Sequence, residues 1–310
     1  MKYPISPKKL TKGDKIAVIS PAGATELSQI ENTLRLIKNR GYEPVLSEHC
    51  LGLFDEQGYA YSGTEAERLS DLQWAMNSPE FSAIWATRGG YGCQHLIKHL
   101  DLSQFKNNPK WYIGYSDNTA MQSFLLKSGY QSISGQTLKT SSFGVCDKAY
   151  PMIFDILEGF KPKFLVEENQ YNEIGHTKGQ IVGGNLALIY ALLGTPFSFD
   201  FKDKILFIEE IGEHFYALDR MLMALDLAGV FESIKGIIVG GMTNMGEESN
   251  NDSYSSSFDE KAYQIIAHRL KNYRIPKLFG FLNGHIYENQ PIIIGAEVEL
   301  TIDKISSVIF

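Results

Sequence analysis

Trp111-Tyr-Ile-Gly114, continued by Tyr115-Ser-Asp-Asn-Thr-Ala120, is a short apolar run that turns at a glycine and enters a helical pattern reaching Ser128-Gly129. An apolar run of this length reads as a buried strand, and a serine between such a strand and the next helix sits on a sharp turn. Its hydroxyl is exposed there, and backbone N–H groups at the helix start can hold an anion. On these residues alone two readings stay open. Ser116 is a candidate nucleophile, or Ser116 or Asp117 caps the helix, since both residue types satisfy orphan N–H groups. The glycine-serine-glycine elbow pattern is incomplete, because Asn118 stands where its second glycine would be.

Upstream, Lys15–Ser20, Glu43–Leu46 and Phe81–Thr87 are further compact strand candidates. Between them run a helix carrying Leu27, Ile30, Leu34 and Ile37, and one carrying Leu69, Leu72 and Met76 behind a Thr64/Glu67 capping box. This alternation predicts an α/β fold, a parallel sheet with helices on both faces. Ligands of such sheets bind beyond the carboxyl ends of the strands. The loop Arg88-Gly-Gly-Tyr-Gly92 and Ser116 both lie at such ends and can share one crevice. Gly89 and Gly90 bring unencumbered backbone N–H groups there, and with the N–H of Asp117 they can form an oxyanion hole. A plain tight turn is the other reading. The loop is not a G-x-G-x-x-G fingerprint, and no G-x-x-x-x-G-K-[ST] occurs, so a nucleotide-phosphate role is weakly supported.

Downstream the pattern weakens from Thr140 to Lys178, with one helix candidate at Tyr150–Leu157. The expected division is therefore a domain over 1–145, a linker over 146–177 and a second domain over 178–310. The second domain again alternates. Lys204-Ile-Leu-Phe-Ile-Glu-Glu210 is a strand ending in two acids, of which one is expected to face solvent and the other an inter-domain crevice. A carboxylate in a crevice can orient an imidazole. His285, on the glycine-flanked loop Phe281–Ile286, is the general-base candidate. His95 and His99 have helical i, i+4 spacing, but no third ligand and no H-E-x-x-H glutamate, so no metal is expected. Thr243–Ser257 reads as a polar surface loop, and 291–310 as short β segments.

A net charge of −7 without any lysine/arginine-rich run argues against a nucleic-acid surface. No apolar stretch has the length of a membrane span, and the N-terminal residues lack the apolar core of a signal peptide, so a cytoplasmic protein is expected. Cys50, Cys93 and Cys146 show no C-x-x-C spacing, as expected of reduced thiols that act as small buried hydrophobes.

Ser20-Pro-Ala-Gly23, Arg88-Gly-Gly-Tyr-Gly92, Gly114-Tyr-Ser-Asp117, Gly183-Gly-Asn-Leu186, Ile205-Leu-Phe-Ile-Glu209, Ile211-Gly-Glu-His214 and Gly284-His285 form an ordered set over nearly the whole chain. Together they resemble the LD-carboxypeptidase family of serine peptidases, which also contains the microcin C self-immunity hydrolases. The resemblance implies an N-terminal flavodoxin-like α/β domain and a smaller C-terminal β/β/α domain. It implies a catalytic triad of Ser116, Glu209 and His285, with oxyanion donors from Gly89, Gly90 and Asp117. It further implies removal of terminal D-alanine from murein tetrapeptides, no metal or other cofactor, and a homodimer. Release of a single terminal residue requires recognition of a free carboxylate, for which Arg88 is the candidate, with a structural ion pair as the alternative. An aminoacyl-nucleotide hydrolase and a non-catalytic muropeptide-binding protein are the rival functions. Asp219-Arg220 departs mildly from the Glu-Arg usual in the family.

Overall fold

Strands buried on both faces read as continuous apolar runs, and the inner strands of the first sheet, Lys15–Ile19, Phe81–Ala86 and Trp111–Gly114, are of this kind. In the computed structural model, which describes residues 4–143, 149–246 and 258–310, the chain divides into two compact units, Met1–Phe160 and Lys161–Phe310. Cys146 and most of the polar loop expected after Thr243 lie outside the described residues.

The first unit holds, in order, β1 (Lys15–Ile19), α1 (Leu27–Asn39), β2 (Glu43–Leu46), β3 (Phe54–Glu56), β4 (Tyr59–Tyr61), α2 (Glu65–Asn77), β5 (Phe81–Ala86), α3 (Cys93–Leu96), β6 (Trp111–Gly114), α4 (Thr119–Lys127), β7 (Ser132–Ser134) and α5 (Ala149–Leu157). The capping box of α2 is present, with Thr64 Oγ1 accepting the Glu67 N–H at 3.3 Å and Glu67 Oε2 accepting the Thr64 N–H at 2.8 Å. Five parallel strands follow the order β2-β1-β5-β6-β7. Counted within this sheet, that is the flavodoxin-like order. Right-handed crossovers combined with the change of direction between β1 and β5 put helices on both faces. α1 and α5 share one of them, joined by Arg40, which donates to Glu158 at 2.7 and 2.9 Å and to Asp155 at 2.5 Å. The loops leaving β1 and β5 meet at the switch point, where Thr87 N–H donates to Ile19 O (2.8 Å) and Gly23 N–H to Gly89 O (3.3 Å).

The second unit contains β8 (Lys163–Glu167), β9 (Gly175–Asn185), α6 (Leu186–Leu192), β10 (Ile205–Ile211), α7 (Phe215–Leu227), α8 (Val230–Ser233), β11 (Gly236–Thr243), α9 (Glu260–Leu270), β12 (Lys277–Phe279), β13 (Ile292–Ile294), β14 (Glu297–Ile302) and β15 (Ile305–Ile309). Its sheet runs β12-β11-β10-β9-β14-β15-β8. The strands from β12 to β9 are mutually parallel, and those from β9 to β8 antiparallel. β9 joins the two regimes, pairing antiparallel with β14 over 175–180 and parallel with β10 from Ile181. Burial follows pairing: β10 is buried almost throughout, whereas β14 alternates between exposed and buried residues.

The stretch 146–177, expected as a linker, carries α5 in the first unit and β8 in the second. β8 buries only Phe164 and Val166, and its partner β15 lies at the far end of the unit, so no local pattern announces it.

Candidate active site

Ser116 leaves β6 in the left-handed region, at φ +63°. An L-residue there stores roughly 1 kcal/mol or more of strain, which neighbouring contacts must hold. Asn118 supplies much of that hold. Its Oδ1 accepts the Tyr112 hydroxyl at 2.5 Å, and its Nδ2 donates to Tyr115 O at 3.0 Å and to Arg88 O at 3.3 Å. A Cβ at Gly114 would come within 2.7 Å of Asn118 Cγ, so the glycine is required for this fit. Neither Ser116 nor Asp117 caps the helix that follows. The Asp117 carboxylate instead accepts the Cys93 N–H at 2.8 Å, tying the end of the glycine loop to the turn. Burial pushes this carboxyl up to about 6.

Gly89 lies against the serine. A Cβ there would fall 2.8 Å from Ser116 Cβ, 3.0 Å from its Oγ and 3.3 Å from Asp117 N. Around the loop the backbone is largely engaged. Arg88 O accepts from Asn118, Gly89 O from Gly23, and Gly92 O from Arg68 at 3.1 Å, while Tyr91 N–H donates to the Tyr59 hydroxyl at 2.7 Å. The N–H groups of Gly89, Gly90 and Asp117 have no acceptor among the described residues. These are the donors expected for an oxyanion, and of the loop glycines Gly89 packs against Ser116. Arg88 is half-buried and donates to Ala24 O at 3.1 Å. It makes no ion pair among the described residues, so the structural-pair alternative does not describe it.

In the second unit the acid and the imidazole meet. Glu209 Oε2 lies 2.7 Å from His285 Nδ1, and both side chains are under a tenth exposed. This contact fixes the ring and leaves Nε2 as its other polar atom. Gly284, at φ +119°, makes the approach possible, since a Cβ there would sit 2.8 Å from both Glu209 Cβ and Oε2. The loop itself is received by a bulge in β11. Ile208 pairs with Val239 but Glu210 with Met242, and the glycines between, Gly240 and Gly241, leave room for Asn283 and Ile286. Gly241 N–H donates to Asn283 O at 2.8 Å, and Asn289 Oδ1 accepts the Gly284 N–H at 3.1 Å.

One expectation is corrected here. Neither acid at the end of β10 faces solvent: Glu209 is 1% exposed and Glu210 2%. Alternation does send them apart, and Glu210 turns to the start of α6. Its Oε2 accepts the Ala187 N–H at 2.7 Å, and its Oε1 accepts Asn185 Nδ2 at 2.8 Å and its neighbour Ile211 N–H at 2.9 Å. Burial and the Glu209 charge push the Glu210 carboxyl up to about 8, against the pull of these donors. The thiols of Cys50 and Cys93 are buried and pushed up by desolvation, Cys50 to about 12, which suits packing rather than nucleophilic attack.

Residues 16–135 match the LD-carboxypeptidase N-terminal domain and residues 178–300 the LD-carboxypeptidase C-terminal domain. The chain belongs to the LD-carboxypeptidase family. One LD-carboxypeptidase relative, the probable murein peptide carboxypeptidase of Bacillus subtilis (strain 168), is 31% identical over 98% of this chain and 93% of its own. The murein tetrapeptide carboxypeptidase of Pseudomonas aeruginosa is 28% identical, with 89% of each chain covered. The microcin C7 self-immunity protein MccF of Escherichia coli is 24% identical over 97% of this chain and 94% of its own. Among solved structures, the muramoyltetrapeptide carboxypeptidase from Oxalobacter formigenes superposes with a TM-score of 0.81 at 24% identity, covering 95% of this chain and 98% of that one. MccF in complex with glutamyl sulfamoyl guanosine gives 0.83 at 21% identity, with 98% of each chain covered. These likenesses show a shared fold. No helix among the described residues is long and apolar enough to cross a membrane.

Several residues that build this LD-carboxypeptidase chain's two clusters escaped the sequence reading. Asn118 drew notice only as a missing glycine, although an amide directly after the turn is a natural anchor for it. Gly240-Gly241 inside an apolar strand is a bulge signal that was readable. Asn289 and Tyr59 carry no local signal, because their partners come from other segments.

Proposed function

We propose that the protein is a serine carboxypeptidase that hydrolyses the L,D-peptide bond before the terminal D-alanine of murein tetrapeptides. The observation that carries this reading is the buried Glu209–His285 hydrogen bond, because a carboxylate on Nδ1 prepares Nε2 to act as a base. In this reading His285 Nε2 takes the Ser116 proton as Oγ attacks the scissile carbonyl. The Gly89, Gly90 and Asp117 N–H groups receive the oxyanion. The imidazolium then protonates the departing D-alanine amine, and water releases the tetrapeptide-derived acyl group from Ser116. Arg88, without an ion pair among the described residues, is assigned to the substrate's terminal carboxylate. A cytoplasmic homodimer is part of the same reading.

Support for murein peptides over aminoacyl-nucleotides comes from relatives at 31% and 28% identity, against 24% for MccF. The MccF likeness keeps the second substrate class open as a specific rival. Side-by-side assays on a murein tetrapeptide and an aminoacyl-sulfamoyl adenosine decide between them, with the tetrapeptide expected to turn over faster. Ser116→Ala is expected to fold and to lose about 10⁴-fold or more in kcat. Near-wild-type activity in that variant would remove Ser116 as the nucleophile, and failure of a serine-directed phosphonate to label Ser116 would favour a non-catalytic binder. Arg88→Ala is expected to lower kcat/KM on the free acid far more than on the C-terminal amide. Equal losses on the two would remove Arg88 from carboxylate recognition.

A further inference from the structure

Three segments of the first unit converge on one phenol. β3 and β4 form a hairpin whose turn residues, Gln57 and Gly58, have φ of +55° and +79°. The hairpin lies against the loop after β1, with Ala24 N–H donating to Ala60 O (2.9 Å) and Ser62 N–H to Ala22 O (3.1 Å). From β4, Tyr59 reaches the glycine loop, and its hydroxyl accepts the Tyr91 N–H at 2.7 Å. A Cβ on Gly90 would lie 2.1 Å from this hydroxyl, and one on Gly23 3.0 Å. The ring is braced by Tyr61 at 4.7 Å and Tyr91 at 5.9 Å between centroids. Tyr61 in turn lies 4.8 Å from the buried Arg68 guanidinium, which donates to Pro21 O (2.7 Å) and Gly92 O (3.1 Å).

A peptide unit is planar, so its N–H and C=O point in opposite directions and fixing one fixes the other. The Gly90–Tyr91 unit is fixed by Tyr59, and the Gly89–Gly90 unit by the bond from Gly23 to Gly89 O. Gly90, at φ +101°, has no side chain to resist rotation between the two. Without the phenol, the Gly90–Tyr91 unit would be free to turn about Gly90, and the orientation of the Gly90 N–H would rest on the single 3.3 Å bond from Gly23 to Gly89 O. Burial pushes the phenol's pKa up, so it stays neutral and does not compete as an anion for N–H groups meant for the substrate.

We propose that Tyr59 is a positioning residue that sets the orientation of the glycine-loop peptides and so the donor geometry of the oxyanion hole. This rests on the serine-hydrolase reading given above. Tyr59→Phe keeps the ring and deletes only the hydroxyl. In this variant kcat on murein tetrapeptide is expected to fall about 10- to 100-fold while KM stays within about two-fold. Inactivation by a serine-directed phosphonate, whose tetrahedral adduct occupies the same hole, is expected to slow by the same factor. A folded variant with unchanged kcat and inactivation rate overturns the proposal, as does a rise in KM with kcat intact. Should the variant fail to fold, hydrogen exchange in the wild-type protein tests the same contact: Tyr91 N–H is expected to be protected, and exchange at the free-peptide rate overturns the proposal. Ser116→Ala separates the two claims. Retained hydrolysis there sinks the reaction reading, and the exchange measurement still decides Tyr59's hold on the loop. An inactive Ser116→Ala beside a normal Tyr59→Phe sinks Tyr59 alone.

Discussion

The surroundings of Ser116 and those of Glu209 manage polar groups in opposite ways. About the serine, the available donors are backbone N–H groups, placed by glycines that let chains touch and by a turn held in a strained conformation. About Glu209, the groups are ionisable side chains driven almost fully out of water. Backbone dipoles can await a developing charge without any resident charge being desolvated. A fixed carboxylate cannot, and its burial costs free energy unless partners converge on it. The first region should therefore fail by steric misplacement and the second by loss of charge.

The largest expected effect tests the charge side. Glu209→Gln preserves shape but removes the negative charge and puts an NH2 donor where one carboxylate oxygen stood. This disturbs the tautomer and charge of the His285 ring, and kcat should drop about 10³- to 10⁴-fold. Glu210→Gln should leave kcat within a few fold, because its partners belong to the start of α6. If the two variants behave alike, the division of labour between neighbouring acids is wrong. On the steric side, Gly89→Ala inserts a Cβ 2.8 Å from Ser116 Cβ, and a loss of about 10² in kcat is expected with little change in stability. A large fall in melting temperature with kcat intact would show that the loop is held for packing rather than for alignment.

The smallest effect concerns stability and pH. Folded Glu210 keeps its proton up to about pH 8, whereas an unfolded glutamate releases it near ~4.3. Between these limits the folded state binds more protons than the unfolded state, so this residue's contribution to stability declines as pH rises. Glutamine does not titrate. Relative to wild type, Glu210→Gln should thus gain stability from about pH 5 to about pH 8, as read from urea midpoints. A gap that stays constant across this range would mean that the three N–H donors keep Glu210 ionised.

The strands that positioned the clusters were legible because parallel strands are locally apolar. Trp111–Gly114 and Glu43–Leu46 fall where the residues suggested, and β5 and β10 within a residue or so. The hairpin of β3 and β4 was not read, since Phe54–Tyr61 is largely exposed and its reason for folding is a contact with the glycine loop. Glu209 and His285 are 76 residues apart, and nothing local joins them. Only the ordered resemblance could pair them in advance. Glu210 was misread as solvated for the same reason: two acids at a strand end look wet until the start of α6 is known to face one of them. Non-local partners, rather than weak propensity, set the limit of what residues in sequence reveal.

The edge position of β8 has a consequence for the order of events during synthesis. β8 opens the second unit, yet its ladder partner is β15, with Lys163 opposite Ile309. On its other side β15 pairs with β14, and β14 with the early half of β9. The antiparallel half of this sheet therefore has to wait, with Phe164 and Val166 uncovered, until residues through Ile309 have emerged from the ribosome. Closing so long a loop is entropically slow and leaves an unpaired, partly apolar edge in the nascent chain. A chaperone that shields emerging chains would find its work here, at the first strand of the unit made and the last to be covered.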